Sequence, residues 1–247
     1  MKYVISASYG NDSIAMVQWA YERGLRDVTV AYCETGWAAP AWAARVEKGE
    51  AFARRCGFST VRCVAEVGMP GLVRAKKGFP SNQHQWCTGF LKGAPFLDWI
   101  ESADPECKAV VMIGKRRAES RKRANTPEII GSSDYHGGRK VWHPLVYHTT
   151  EERDALLERA GFAALTHRSL ECSPCVNANR SDFLALSPGE VERVNDLEVE
   201  LGKPMFRPKR FGAVGIHGVM AWAKHGRNRG NFEEKDRDCG GLFGCGT

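Results

Sequence analysis

Five short runs rich in apolar and β-branched residues, at 2–6, 27–33, 58–64, 109–114 and 141–146, recur along the first 146 positions. Segments with helical spacing of apolar side chains lie between the first four, at 13–23, 40–56 and 90–101. A strand returned parallel to its predecessor needs a helical crossover, and the crossovers cover both faces of the sheet. The pattern therefore predicts an α/β fold: a doubly wound, mostly parallel five-stranded sheet with helices on both faces. After position 148 the strand signal fades. Residues 150–160 and 188–201 look helical, the latter opening at Ser187-Pro188. Residues 203–247 are rich in Gly, Lys and Arg and show no obvious hydrophobic segment. The expected organisation is a nucleotide-binding α/β domain over 1–148 and a helical region with a Cys/Gly-rich tail over 149–247.

With 247 residues, 43% of them hydrophobic, the chain can bury one substantial core, with room for a smaller appendage. No apolar run approaches the roughly 20 residues of a membrane span, and no signal-peptide pattern opens the chain. The expected location is the cytoplasm. The net charge of +6 favours anionic ligands, nucleic acid among them, without choosing one. Basic residues concentrate at 115–123, 203–210 and 224–229; charge runs of this kind are often only solvated faces.

Nine cysteines, an odd number, do not form a disulfide framework in a reducing compartment. Cys33, Cys56, Cys63 and Cys107 read as small structural residues. Cys87, the C-x-x-C pair Cys172 and Cys175, and the tail residues Cys239 and Cys245 differ in context. A C-x-x-C is half a zinc site, half an iron–sulfur site or a redox dithiol. Position 172 lies far past the parallel-strand signal, which disfavours a thioredoxin-like dithiol. His84, His136, His143, His148 and His167 show no metalloprotease spacing.

The turn Ser8-Tyr9-Gly10-Asn11-Asp12-Ser13 leaves the first strand and opens the first helix. Outward N–H groups and the helix dipole make such a turn an anion site, and a glycine allows close approach. Its bland alternative is an ordinary helix cap by Asn11 or Asp12.

The context resolves the two. The S-x-G-x-D-S pattern resembles the PP-loop of the adenine-nucleotide α-hydrolase-like superfamily. Glu34-Thr35-Gly36-Trp37 resembles the (D/E)-T-G segment of the phosphoadenosine phosphosulfate (PAPS) reductase and ATP sulfurylase families. Cys87-Thr88 with Lys92 and Pro95 resembles a C-T/C-C…K…P segment of the same group. Gly114-x-Arg116-x-x-Glu119-Ser120-x-x-Arg123 resembles its G-x-R-x-x-E-S-x-x-R motif, and Trp142-His143-Pro144-Leu145 the W-x-P that follows. Together these make the chain similar to the PAPS reductase family.

That resemblance implies an adenine nucleotide held around Ser8, Gly10, Asp12 and Ser13, with Thr35, Gly36 and Gly114 also in the binding site. It implies Lys92, Arg116 and Arg123 near the anionic groups being cleaved. Guanidinium forks suit phosphate and sulfate. Glu119 is expected to orient an arginine. Cluster-bearing reductases of the family use a cysteine pair at the position of Cys87 and a later C-x-x-C; here Thr88 replaces the second cysteine. Cys87, Cys172, Cys175 and Cys245 are therefore assigned to a [4Fe–4S] cluster, with zinc as the alternative metal. Cys239 is the expected nucleophile, and the roles of Cys239 and Cys245 fit nearly as well reversed.

Three functions follow. The first is reduction of PAPS or adenylyl sulfate to sulfite through the tail cysteine, with a thiol reductant such as thioredoxin. The second is ATP-dependent, Mg²⁺-assisted adenylation of a nucleic-acid or other acceptor for sulfur insertion, to which Asp12 points. The third is a non-catalytic, zinc-containing nucleic-acid-binding relative. A homo-oligomer is compatible with each, and none needs a membrane.

Overall fold

A computed structural model describes residues 1–207 and 213–225. One six-stranded sheet runs through it in the order β3-β2-β1-β4-β6-β5. The strands are β1 (Tyr3–Ala7), β2 (Val28–Glu34), β3 (Ser59–Val64), β4 (Val110–Ile113), β5 (Ile129–Ser133) and β6 (Arg139–Trp142). Five of them are parallel and correspond to the five runs read from the sequence. The sixth, β5, is an antiparallel edge paired to β6. It escapes the sequence pattern because its face is largely exposed and no apolar alternation is needed there.

The order in which parallel strands are added reverses at β1: β2 and β3 lie on one side of it and β4 on the other. In open α/β sheets the crevice at this switch point, outside the carboxyl ends of the strands, is where ligands bind. The turn after β1 and the turn after β4 meet there. A Cβ on Gly114 would stand 3.2 Å from the backbone of Asp12. A side chain at this position would push the two turns apart by a few tenths of an ångström.

Alternate residues of the central strands enter separate cores, as a two-faced sheet requires. Ile5, Val30 and Met112 face one layer with α1 (Asn11–Glu22) and α2 (Trp42–Arg55). Val4, Ala31 and Val111 face the other with Phe96 and Ile100. A third core joins Trp37, Met69 and Leu91 to residues from the C-terminal part, including Phe183, Val194 and Ile216.

The remaining helices are α3 (Met69–Lys76), α4 (Trp86–Thr88), α5 (Ala94–Ala103), α6 (Thr150–Arg159), α7 (Arg180–Leu184), α8 (Pro188–Leu201) and α9 (Gly215–His225). A π-helical turn at Gly89–Gly93 links α4 to α5. Capping boxes start α6 at Thr149 and Glu152 and α8 at Ser187 and Glu190, where Pro188 occupies the first turn. Helix α9 corrects the expectation that 203–247 lack a hydrophobic segment. Ile216, Val219 and Ala223, spaced three and four apart, bury one face of it. No helix among the described residues is long and apolar enough to cross a membrane.

His136 and His143, which flank β6, are buried. Burial pushes both imidazoles down to about 4, helped by Lys115 and, for His143, Arg123; the Pro127 carbonyl, 2.6 Å from His143 Nδ1, opposes the shift. Both are neutral in the folded chain at pH 6, whereas unfolded histidines titrate near 6.5. The unfolded state therefore binds more protons between pH 6.5 and 4, so stability is full above that window and falls as pH drops through it. Thermal melts should show a lower Tm at pH 4.5 than at pH 7, and His143→Gln should shrink that difference. Equal pH dependence in the variant would remove His143 from the explanation.

Candidate nucleotide and cysteine site

Gly10 stands at the N-cap of α1, and no side chain caps the helix. The asparagine and aspartate that an ordinary cap would use are engaged elsewhere. Asn11 forms a two-point amide pair with the Leu165 backbone, 2.9 Å in each direction. Asp12 Oδ1 accepts from Arg116 Nε at 2.5 Å, and Arg153 Nη1 lies 3.8 Å away. Ser8 Oγ accepts from the Gly10 N–H, and Ser13 Oγ donates to the Gly10 carbonyl. The turn is thus an ordered platform. Asp12 Oδ2 is buried and has no hydrogen-bond partner among the described residues. A buried carboxylate oxygen without a partner is costly unless a ligand completes it.

A cleft of about 720 Å³ opens beside this platform. Asn11 and Arg116 stand on its wall with Glu119, Ser120, Arg153 and Arg168; Cys172 and Cys175 line it as well. Ser120 Oγ is buried with no hydrogen-bond partner among the described residues. Ser8, Gly10, Asp12 and Ser13 lie buried behind Asn11 and Arg116 rather than on the cleft wall. Arg123 is buried in an ion pair with Glu119, which orients it as expected.

Thr35 acts on the cysteine loop, and Gly36 packs against Gly68. The Thr35 hydroxyl donates to the Glu171 carbonyl at 2.5 Å and accepts from the Trp37 N–H. The Ser173 N–H donates to the Trp37 carbonyl at 2.8 Å, and the Ala39 N–H to the Leu170 carbonyl. Gly36 has φ +63, and a Cβ there would stand 2.9 Å from Gly68 Cα. Arg193 of α8 stacks 4.1 Å from the Trp37 ring centre and donates to the carbonyls of Trp37, Ala38 and Ser173. Burial lowers the pKa of Arg193.

Cys87, Cys172 and Cys175 line one small cavity, walled by Trp37, Met69 and Leu91. The π-helical turn after Thr88 brings Lys92 to the same cavity. Lys92 is buried there in a 2.6 Å ion pair with Glu171, the residue before Cys172. Three thiols on one apolar cavity are a suitable donor set for iron–sulfur or zinc. Among the described residues, however, no three His, Cys, Asp or Glu side chains are gathered as a bound metal requires. The fourth expected ligand, Cys245, and the expected nucleophile, Cys239, lie outside the described residues.

The family model of the phosphoadenosine phosphosulfate reductase domain matches residues 2–164, two thirds of the chain. The chain belongs to that family. No curated protein matches it. Among solved structures, it is similar to the PAPS reductase from Candida auris, a phosphate complex. There the TM-score is 0.44 at 12% identity, over 66% of this chain and 73% of that one. It is also similar to the NMN synthetase from Francisella tularensis: TM-score 0.48, 10% identity, over 84% of this chain and 89% of that one. The family match takes in the first turn, the Glu34–Trp37 segment and the arginine motif, and stops before Cys172.

Sequence reasoning missed Asn11, Arg153, Arg168 and Glu171. Arg153 carries no motif, and the Thr149 capping box that places it signals a helix start, not a site. Glu171 sits beside the C-x-x-C and was open to notice as the carboxylate nearest the two thiols.

Proposed function

We propose that this family member binds Mg²⁺-ATP in the large cleft and adenylates an acceptor, preparing it for sulfur insertion. The observation that carries this reading is Asp12, whose second carboxylate oxygen lies buried without a partner among the described residues, next to Asn11 and Arg116 of the cleft wall. Asp12 would hold a divalent cation there, since Mg²⁺ is usually bound by one or two carboxylates together with substrate phosphates. When bound, the cation neutralises phosphate charge.

The chain's own groups supply the rest. Arg116 is fixed by Asp12 and by the His148 carbonyl at 3.5 Å, so it meets developing charge without reorganising. The acceptor oxygen attacks the α-phosphorus, the bond to the β-phosphate oxygen breaks, and pyrophosphate leaves with the electron pair. A hydrosulfide-level sulfur donor then attacks the activated carbon, the carbon–oxygen bond breaks, and AMP departs with the electron pair. Cys87, Cys172 and Cys175, with Cys245, would hold a [4Fe–4S] cluster or zinc beside the cleft.

A second reading is favoured by the cleft's reach from Arg116 to Cys172 and Cys175. In it PAPS or adenylyl sulfate binds, and the Cys239 thiolate attacks sulfur. The S–O bond breaks and the adenosine phosphate leaves with its electrons. A second thiol, from a thioredoxin-type reductant, attacks the S-sulfocysteine, forming a disulfide and releasing sulfite.

Parallel assays decide. Mg²⁺-dependent pyrophosphate release from ATP, with water as a slow acceptor, is expected and should survive Cys239→Ser. Sulfite release from PAPS or adenylyl sulfate that Cys239→Ser abolishes, without pyrophosphate from ATP, would replace the first reading by the second.

A further inference from the structure

A second groove, of about 640 Å³, lies between the loop after α3, the start of α7 and helix α9. The nucleotide reaction does not use it. Its walls are aromatic: Phe79, Phe183, Phe206 and Trp222. Phe183 and Phe206 pack edge to face with ring centres 4.9 Å apart, giving a rigid floor. Its rim carries Lys203 and Arg207, both exposed, from the basic stretch noted in the sequence. Ser81, Asn82 and Gln83 add neutral donors and acceptors along one side. The groove shares Asn179 with the large cleft and Val176 with the cysteine cavity, so it adjoins both.

We infer that this groove binds single-stranded nucleic acid, taking an unstacked base between Phe79 and Trp222 while Lys203 and Arg207 meet the flanking phosphates. Aromatic platforms interleaved with cations are what single strands require, because every base has a face to stack and a phosphate to neutralise. Amide groups at the edge can read a base that has left its pair. Among the described residues the walls carry no carboxylate. The volume lies within the range of sites that enclose a group of nucleotide size. A duplex keeps its bases stacked inside and cannot fill the groove. The inference rests on the adenylation reading in one respect: it names the acceptor's class and the side from which it enters.

Binding can be read without turnover. Fluorescein-labelled mixed-sequence 12-mers of single-stranded RNA and DNA, and a matched duplex, are titrated with the full chain by anisotropy, without ATP. The single strands should bind at least about 10-fold more tightly than the duplex. Trp222→Ala and Phe79→Ala, on separate elements, should each weaken binding about 10-fold, while Trp222→Phe stays within about 3-fold of the parent. Lys203→Ala with Arg207→Ala should lower the slope of log affinity against log salt by about 1.4, two single-strand phosphate contacts. Equal binding of the duplex, unchanged affinity in both aromatic variants, or full competition by AMP at the strand's own concentration would each overturn the inference. Strand binding without pyrophosphate release would overturn the adenylation reading and leave the groove assignment standing. Pyrophosphate release without strand binding would do the reverse.

Discussion

Lys92→Met, with Glu171 left in place, is expected to destabilise the chain by about 3–5 kcal/mol. Both side chains of this pair are only 5% exposed, and the Nζ–Oε1 distance is 2.6 Å. Removing one partner strands a charge where water does not reach it. The cost is therefore that of an uncompensated buried carboxylate, not the net worth of the pair. Lys92→Met combined with Glu171→Leu should recover much of the loss, because a buried ion pair is often replaceable by apolar groups of similar size. Denaturant midpoints with unchanged m-values measure both. A single-variant loss below about 1 kcal/mol would show that the pair is solvated in solution. The location makes the result informative about function as well. Lys92 is five residues from Cys87, and Glu171 directly precedes Cys172, so this contact ties together the two parts of the chain that supply the cavity's thiols. Iron or zinc content per chain should fall with stability in the single variant and return in the double variant.

The sequence makes the scaffold legible because the scaffold is periodic. Buried parallel strands demand continuous β-branched runs, and their crossovers demand helical spacing, so the five parallel strands and α1, α2, α5, α6 and α8 can all be read. Strand β5 cannot, since an exposed antiparallel edge needs no apolar pattern. Helix α9 is masked by its glycines and histidines, and its apolar face forms only against α7 and α8. At the site, the turn at 8–13, the arginine motif and the grouping of Cys87 with Cys172 and Cys175 could be read from order and spacing. Contacts made between distant segments could not be. Thr35 carries a nucleotide-family pattern, and its hydroxyl also braces the cysteine loop through Glu171 and Trp37. Arg153 and Arg168 reach the cleft from segments without a motif. For Thr35 and Arg153 the partner, Glu171 or Asp12, lies more than a hundred residues away, and local pattern does not encode it.

Asp12→Asn is expected to reduce Mg²⁺-dependent pyrophosphate release by about 100-fold or more. The amide keeps an oxygen for the Arg116 Nε–H and preserves the volume, so the turn stays in place while the charge that would hold the cation is lost. Asp12→Ala has a different signature. It leaves Arg116, 2% exposed, without its carboxylate, and should add a stability loss of about 3–5 kcal/mol to the loss of turnover. Comparing the two separates anchoring from cation binding. If Asp12 serves only to hold Arg116, the asparagine variant retains near-parental turnover and the same Mg²⁺ requirement. If its second oxygen meets the cation, the concentration of Mg²⁺ needed for half-maximal release rises in the asparagine variant even where ATP is saturating. Near-parental activity at unchanged Mg²⁺ would remove the support for the ATP reading. The unpaired oxygen would then be a cost of folding, and reduction of a phosphosulfate nucleotide would become the better account of the cleft.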